Sequence, residues 1–188
     1  HTVFCVDRAG LVGNDGETHQ GVFDVCYLSA VPGMTILCPA SFQELHDMLG
    51  YAIHEATGPA AVRYPRGGEG RYTDSLMQAE NVIREGTDVT IVCYGTMINE
   101  VLNAADMLQS RGISAEIIKL GMIAPNSFEQ CISSVRKTGR LLVAEEVCSV
   151  GCVGSALLAA ISVAGVDLKA AELLNLGNGI VRHGTVDE

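Results

Sequence analysis

The second half of the chain alternates short apolar runs with amphipathic stretches, and this alternation constrains the fold more than any other feature. Four runs are rich in β-forming residues: Val89–Tyr94, Ala115–Leu120, Leu141–Ala144 and Glu172–Leu176. Stretches with helical periodicity lie between them, at Ile98–Arg111, Asn126–Lys137 and Gly154–Ala164. Repeated βα units of this length predict an α/β fold with a mostly parallel, doubly wound sheet that has helices on both faces.

The first seventy residues show the same alternation less regularly. They predict strands at Val3–Val6, Thr35–Cys38 and Ala60–Arg63, and helices at Val22–Ala30 and Ser41–Glu55. Ser41 with Glu44, and Asn126 with Glu129, have the spacing of N-terminal capping signals. A stretch rich in glycine and charge then interrupts the pattern. We therefore expect one domain at 1–70, a linker at 71–86 and a second domain at 87–188.

Both termini have the character of internal sequence. The chain begins without Met, and a strand-like run starts at Val3. At the other end, Thr185 and Glu188 have capping-box spacing with no helix after them. These features predict that the chain is a fragment of a longer protein.

Positive charge is scarce in the first domain. The whole chain has a formal net charge of -10, and residues 1–70 contain only three basic residues, Arg8, Arg63 and Arg66. The sequence has no cluster of Lys and Arg, which argues against nucleic-acid binding and against attraction to anionic membranes. An anionic ligand would have few places to bind, so these three arginines are the first candidates.

The cysteines and one uncharged stretch give information about the cellular compartment of the protein. The seven cysteines include no CxxC pair and several lie in apolar runs, which predicts buried free thiols in a reducing cytoplasm. Residues Val147–Val166 carry no charge over a length that could span a membrane. Their glycine and serine content instead favours a loop followed by a buried helix.

A Gly-rich loop at residues 7–21 carries the first group of chemically active side chains. Arg8 supplies fixed positive charge for a phosphate or carboxylate. His19 can transfer protons near neutral pH, and Asp15 is close enough in sequence to orient it. The alternative is a solvated surface loop in which the glycines only allow turns. The loop lacks Walker and EF-hand spacing, and His46 and His54 have no companion ligands for a metal.

A second group follows the strand predicted at Ala60–Arg63. Arg66 lies beyond that strand, just before Gly67 and Gly68. The pattern is typical either of a phosphate clamp or of a strand-end arginine paired with a carboxylate. Carboxyl ends of parallel strands open onto one crevice, so Arg8 and Arg66 would meet there if both strands share a sheet. Arg63 lies within the strand and is expected to pair with protein.

These stretches together resemble a known family. Residues 7–24 and 63–67 are similar to the signature of the 1-deoxy-D-xylulose-5-phosphate synthase family, which belongs to the transketolase-like thiamine-diphosphate enzymes. The resemblance continues at 94–97, 144–146 and 183–185, so it extends over nearly the whole chain. It implies the end of a thiamine-diphosphate-binding pyrimidine domain, followed by a transketolase C-terminal domain.

The resemblance also implies an activity. Family members are homodimers that decarboxylate pyruvate on thiamine diphosphate with Mg²⁺ and transfer the two-carbon unit to glyceraldehyde 3-phosphate. By this comparison Arg8 and Arg66 would hold the substrate phosphate, while Asp15 and His19 would assist proton transfer or position the lactyl intermediate. The glutamate that activates the cofactor and the metal motif would lie before His1. No residue here is therefore assigned to cofactor or metal, and we expect the isolated chain to be inactive.

Two other interpretations remain open. One is a different enzyme of the superfamily, either a split transketolase C-terminal subunit or the β-subunit of a 2-oxo-acid dehydrogenase. The sequence Asp7–Gly10 argues against it. The other is a non-catalytic interaction module, which would have no need for a proton-transfer group such as His19 beside two arginines.

Overall fold

Three parallel strands and one antiparallel strand form the sheet of the first domain. The computed structural model describes residues 1–185. The strands are β1 (Val3–Val6), β2 (Thr35–Leu37), β3 (Ala60–Arg63) and β7 (Met122–Ala124), in the spatial order β1-β3-β2-β7. β1 and β2 both pair in parallel with β3, whereas β7 pairs antiparallel with β2. β7 comes from the second half of the chain and was not predicted.

Two helices accompany this sheet. They are α1 (Asp24–Ser29) and α2 (Phe42–His54). The hydroxyl of Ser41 accepts a hydrogen bond from the Glu44 N–H at 3.0 Å, so the predicted N-cap is present. The reciprocal half of the capping box is not formed, because the Glu44 carboxylate accepts from the Ala40 N–H at 2.7 Å instead.

Five strands form the sheet of the second domain. They are β4 (Glu80–Arg84), β5 (Val89–Tyr94), β6 (Ala115–Leu120), β8 (Arg140–Ala144) and β9 (Ala170–Leu174), in the order β4-β6-β5-β8-β9. All neighbouring pairs are parallel except β4 with β6. The predicted mostly parallel α/β sheet is confirmed. The stretch expected to be a linker, 71–86, contains strand β4 and so is not a simple connection.

Helices cover both faces of the second sheet. They are α3 (Met97–Ser110), α4 (Glu129–Thr138) and α5 (Val153–Val163). Side chains alternate along β5: Ile91 packs in the same apolar cluster as α3, whereas Val92 packs in the cluster of α4 and α5. The second cluster also contains Ile36 and Ala61 of the first sheet, so the two domains share a core.

One sequence-based prediction about a helix start is corrected, and a second is not tested. Helix α4 begins at Glu129 rather than Asn126, because the Asn126 side chain accepts a hydrogen bond from the Phe128 N–H at 2.8 Å and forms a turn before the helix. Phe128 itself has φ +58° at the N-cap. The capping signal predicted at Thr185 and Glu188 falls partly outside the described residues.

Two further predictions concern the uncharged stretch and the thiols. The uncharged stretch contains the 11-residue helix α5, and no helix among the described residues is long and apolar enough to cross a bilayer. All seven cysteines are free, as predicted. Cys5 is exposed and Cys26 is half-buried, so the expectation that every thiol is buried was wrong.

A buried ion pair joins the two domains. The Lys119 ammonium on β6 donates to the Glu44 carboxylate at 2.8 Å, and both side chains are 0% exposed. The ammonium also lies 5.2 Å from the centre of the Tyr72 ring. Removing either charge would leave the other buried without a counter-charge, so the pair favours the observed packing of α2 against β6.

Candidate active site

Three of the four candidate side chains converge at one end of the first sheet. The Arg8 Nε donates to Asp15 at 2.6 Å, and an Arg66 guanidinium nitrogen donates to the other oxygen of the same carboxylate. Arg8 also pairs with Asp7. Two guanidinium groups from separate strand–loop units therefore share one carboxylate at the edge where anions bind in parallel sheets.

Strand pairing explains this convergence. β1 and β3 are parallel neighbours in which Val6 lies opposite Arg63, so their following loops leave the sheet side by side. The Ala9 N–H donates to the Tyr64 carbonyl at 3.0 Å and holds the two loops together. Arg8 has φ +61°, a left-handed conformation that is strained for a large side chain.

The charge of Asp15 is fixed by its partners. Hydrogen bonds from Arg8 and then from Arg66 lower the pKa of the Asp15 carboxyl, although its partial burial acts in the opposite direction. The same pairing raises the pKa of Arg8. At neutral pH these three side chains carry two positive charges and one negative charge, and the carboxylate of Asp7, which pairs with Arg8, offsets the remaining positive charge.

His19 lies outside this cluster. Its side chain is exposed, and its ring Nδ1 lies 3.1 Å from the hydroxyl of Thr18. Its backbone N–H donates to the Gly16 carbonyl at 3.1 Å. Because both oxygens of Asp15 are held by arginines, the expected orientation of His19 by Asp15 is absent from this structure.

A buried arginine, Arg63, holds the end of the 7–21 loop in place. Arg63 is 4% exposed, and its guanidinium donates to Asp24 at 2.7 Å and to the Gly21 carbonyl at 2.6 Å. It also lies 6.0 Å from the centre of the Tyr94 ring. Arg63 pairs with protein, as expected from its place in the strand. This network fixes the end of the 7–21 loop, and no feature of the sequence indicated Asp24 as the partner of Arg63.

The second domain contributes the carboxylate of Glu146, which lies against the 7–21 loop. Glu146 follows β8, and its carboxylate lies directly against Gly10. Gly10 has φ +77°, a left-handed conformation that favours glycine, whereas the carboxylate is the end of a flexible side chain. Burial raises the pKa of the Glu146 carboxyl, Arg63 lowers it, and Glu100 raises it.

Glu146 lines two clefts, and one of them reaches the arginine cluster at Arg66. One, of 420 Å³, includes Arg66 and Glu100 in its lining. The other, of 820 Å³, includes Gln20, Arg182 and His183. Sequence reasoning did not assign Glu146 or His183 a place at the site. Their only signal was membership of the short motifs at 144–146 and 183–185.

Comparison with known proteins identifies the fold family. The model of the transketolase pyrimidine binding domain matches residues 1–68, and that of the transketolase C-terminal domain matches residues 78–187. This chain belongs to the transketolase family. The transketolase domains meet at the site described above, since Arg8, Asp15 and Arg66 come from the first and Glu146 from the second.

The curated relatives of this transketolase-family chain support the resemblance predicted from its motifs. A 1-deoxy-D-xylulose-5-phosphate synthase of Microcystis aeruginosa is 36% identical over 98% of the chain. Another, of Heliobacterium modesticaldum, is 38% identical over 98%. The chain spans only 30% and 29% of these two proteins, respectively.

Solved structures agree with the family assignment. A split-gene transketolase described as an inactive beta4 tetramer has a TM-score of 0.80 and 28% identity, covering 95% of this chain and 57% of that one. A transketolase mutant from Pichia stipitis has a TM-score of 0.73 over 97% of this chain and 26% of its own, at 17% identity. The second similarity concerns the fold alone.

Proposed function

We propose that this chain is the C-terminal part of a 1-deoxy-D-xylulose-5-phosphate synthase. The complete enzyme would condense pyruvate with glyceraldehyde 3-phosphate on thiamine diphosphate and Mg²⁺, releasing CO₂ and forming 1-deoxy-D-xylulose 5-phosphate. That product would serve isoprenoid, thiamine and pyridoxal biosynthesis. We further propose that the enzyme is a cytoplasmic homodimer. Exposed aromatic side chains on the first domain, including Tyr27 and Phe42, suit an interface.

The observation that carries the proposal is the meeting of Arg8 and Arg66 on Asp15. These arginines belong to the two stretches that carry the specific resemblance, and they are separated by 58 positions in the sequence. Two guanidinium groups with fork geometry suit the dianionic phosphate of glyceraldehyde 3-phosphate. An incoming phosphate would compete with Asp15 for their N–H groups, so Asp15 would moderate its affinity.

His19 is proposed to handle the proton of the aldehyde. When a carbon–carbon bond forms at the aldehyde carbon, its oxygen becomes an alkoxide and needs a proton. The exposed imidazole of His19 lies on the same loop as Arg8 and is free to donate one. Because both oxygens of Asp15 bind arginines, we propose that Asp15 moderates phosphate binding and does not activate His19.

The cofactor is assigned to other parts of the protein. Within residues 1–185, no three His, Cys, Asp or Glu side chains are arranged to hold a metal ion. We propose that the residues that bind the diphosphate and Mg²⁺ lie outside this chain, and we derive no step through the cofactor from the described side chains. Thiamine diphosphate would supply the carbanion chemistry when bound by the complete enzyme.

A split transketolase is the second candidate, favoured by the structural similarity over 95% of the chain. Product analysis separates the two. The complete protein should form 1-deoxy-D-xylulose 5-phosphate and CO₂ from pyruvate and glyceraldehyde 3-phosphate, identified by mass spectrometry. Transfer from a ketose phosphate donor without CO₂ release, and no reaction with pyruvate, would identify a transketolase instead.

A further inference from the structure

Two cysteine sulfurs meet where the two domains touch. Cys26 lies in α1 and Cys148 follows β8, 122 positions later, yet their Sγ atoms are 3.3 Å apart. Cys26 is half-buried and Cys148 is buried. A disulfide requires the sulfurs to approach to about 2.05 Å, which is a shift of roughly 1.2 Å. Rotation of the two side chains supplies a shift of this size without moving a domain.

The backbone holds these two segments together independently of the thiols. The Cys148 N–H donates to the Val22 carbonyl at 2.9 Å, just before α1. A Cβ on Gly151 would lie 3.4 Å from the Cys26 Cβ, and Gly151 has φ +71°. The loop after β8 therefore stays against α1, and the sulfurs remain close in the folded protein.

The other thiols are arranged differently. The Cys152 sulfur contacts the Ser155 hydroxyl at 3.2 Å. Cys5 is exposed on strand β1. Throughout residues 1–185, Cys26 and Cys148 are the one pair of cysteine sulfurs within hydrogen-bonding distance of each other.

We propose that Cys26 and Cys148 form a reversible disulfide when the protein meets a peroxide. One thiol attacks the O–O bond, becoming a sulfenic acid and releasing one water. The second thiol attacks that sulfur, forming the S–S bond and releasing a second water. Hydrogen peroxide is thereby reduced to two waters while the two thiols lose two electrons and two protons, and small thiols reverse the link by exchange.

The surroundings of Cys26 affect how fast the disulfide forms, and its position determines which segments the disulfide connects. Burial, followed by the hydrogen bond with Cys148, raises the pKa of the Cys26 thiol to about 12, so oxidation should be slower than for a free cysteine and faster at higher pH. Helix α1 directly follows the 7–21 loop. The link would therefore fasten the end of that loop to the second domain, whichever reaction the enzyme performs.

Peptide mapping tests the site on the complete protein. After hydrogen peroxide treatment and alkylation, digestion without reductant should yield a linked peptide pair containing Cys26 and Cys148, and dithiothreitol should release it. Cys26→Ser should abolish the pair, whereas the matched variant Cys5→Ser should retain it. Alkylation of both Cys26 and Cys148 after peroxide treatment would overturn the proposal.

A second measurement needs no variant. The oxidised wild-type protein should unfold at a higher temperature than the reduced protein, because the link constrains the unfolded chain. Added dithiothreitol should return the unfolding temperature to the reduced value. An unchanged unfolding temperature after complete peroxide treatment would contradict a link between the domains.

Discussion

At the residue scale, Asp15 determines how the site is organised. Its carboxylate holds Arg8 and Arg66 in one cluster and has no contact with His19. The sequence placed Asp15 four positions before His19, which favoured a role in orienting the imidazole. In the folded chain the arginine cluster and His19 are separate, so their effects on catalysis should be separable.

The first prediction concerns His19. In the complete enzyme, His19→Ala should lower kcat by about 10²- to 10⁴-fold, the usual contribution of a general acid or base, with a smaller change in KM. Asp15→Asn should mainly change the KM for the phosphorylated aldehyde, because it alters the arginine cluster. Steady-state kinetics with both substrates would check this. Turnover near the wild-type value in His19→Ala would make His19 an ordinary loop residue.

The second prediction concerns Glu146. Its folded-state pKa is raised, mainly by burial, so the folded chain binds this proton more tightly than the unfolded chain. The associated stability is fully present below the ordinary value of 4.5 and is lost as pH rises through the folded pKa. Glu146→Gln should therefore unfold at a higher temperature than wild type at pH 7, and the difference should disappear at pH 4.

Thermal unfolding across this pH range provides the measurement. Glu172→Gln is the matched control, because it removes an equivalent charge from an exposed position on β9. A Glu146→Gln variant that is equally destabilised at pH 7 and pH 4 would show that the carboxylate acts through packing and not through its charge.

At the element scale, the strands were easier to predict than the helix ends. Val89–Tyr94 matches an observed strand because burial on both faces of a sheet demands continuous hydrophobicity. Val3–Val6 also matches a strand, although β1 lies at the edge of its sheet and Phe4 and Cys5 are exposed. Helix starts depend on single hydrogen bonds. The Glu44 carboxylate accepts from the Ala40 N–H and from Lys119, and the Asn126 side chain accepts from the Phe128 N–H two residues later. β7 was missed because three residues carry too little periodicity.

The third prediction tests the buried pair at the junction of α2 and β6. Lys119→Met should destabilise the fold by about 3–5 kcal/mol, because it leaves the buried carboxylate of Glu44 without its counter-charge. The double variant Glu44→Gln with Lys119→Met should recover part of that loss. Urea unfolding would provide the free energies.

An exposed pair offers the control for this experiment. Arg71 and Asp106 are about half exposed, so Arg71→Met should cost no more than about 1 kcal/mol. If Lys119→Met lowers the free energy of unfolding as little as Arg71→Met does, the buried pair does not determine how the two elements pack.

At the scale of the whole molecule, the sequence predicted the domains' fold class and the meeting of Arg8 with Arg66. Both follow from one rule, that parallel strands end at a common edge. The contribution of Glu146 could not be predicted, because it depends on how the second domain packs against the loop at Gly10. The Arg63–Asp24 pair was equally hidden, because it depends on how helix α1 packs against strand β3.

The central claim is that Arg66 and Arg8 recognise a phosphate, and a comparison of two aldehydes tests it most directly. In the complete enzyme, Arg66→Ala should raise the KM for glyceraldehyde 3-phosphate about ten- to a hundredfold, because hydrogen bonds to a charged group are lost. Arg66→Lys should recover only part of the loss, since an ammonium lacks the fork geometry.

The KM for pyruvate, which has no phosphate, should change much less. Arg71→Ala is the matched control, because Arg71 is also an exposed arginine paired with an aspartate. The deciding measurement is the activity of Arg66→Ala on unphosphorylated glyceraldehyde relative to wild type. We predict that it is nearly unchanged, whereas a loss as large as that on glyceraldehyde 3-phosphate would contradict phosphate recognition by this residue.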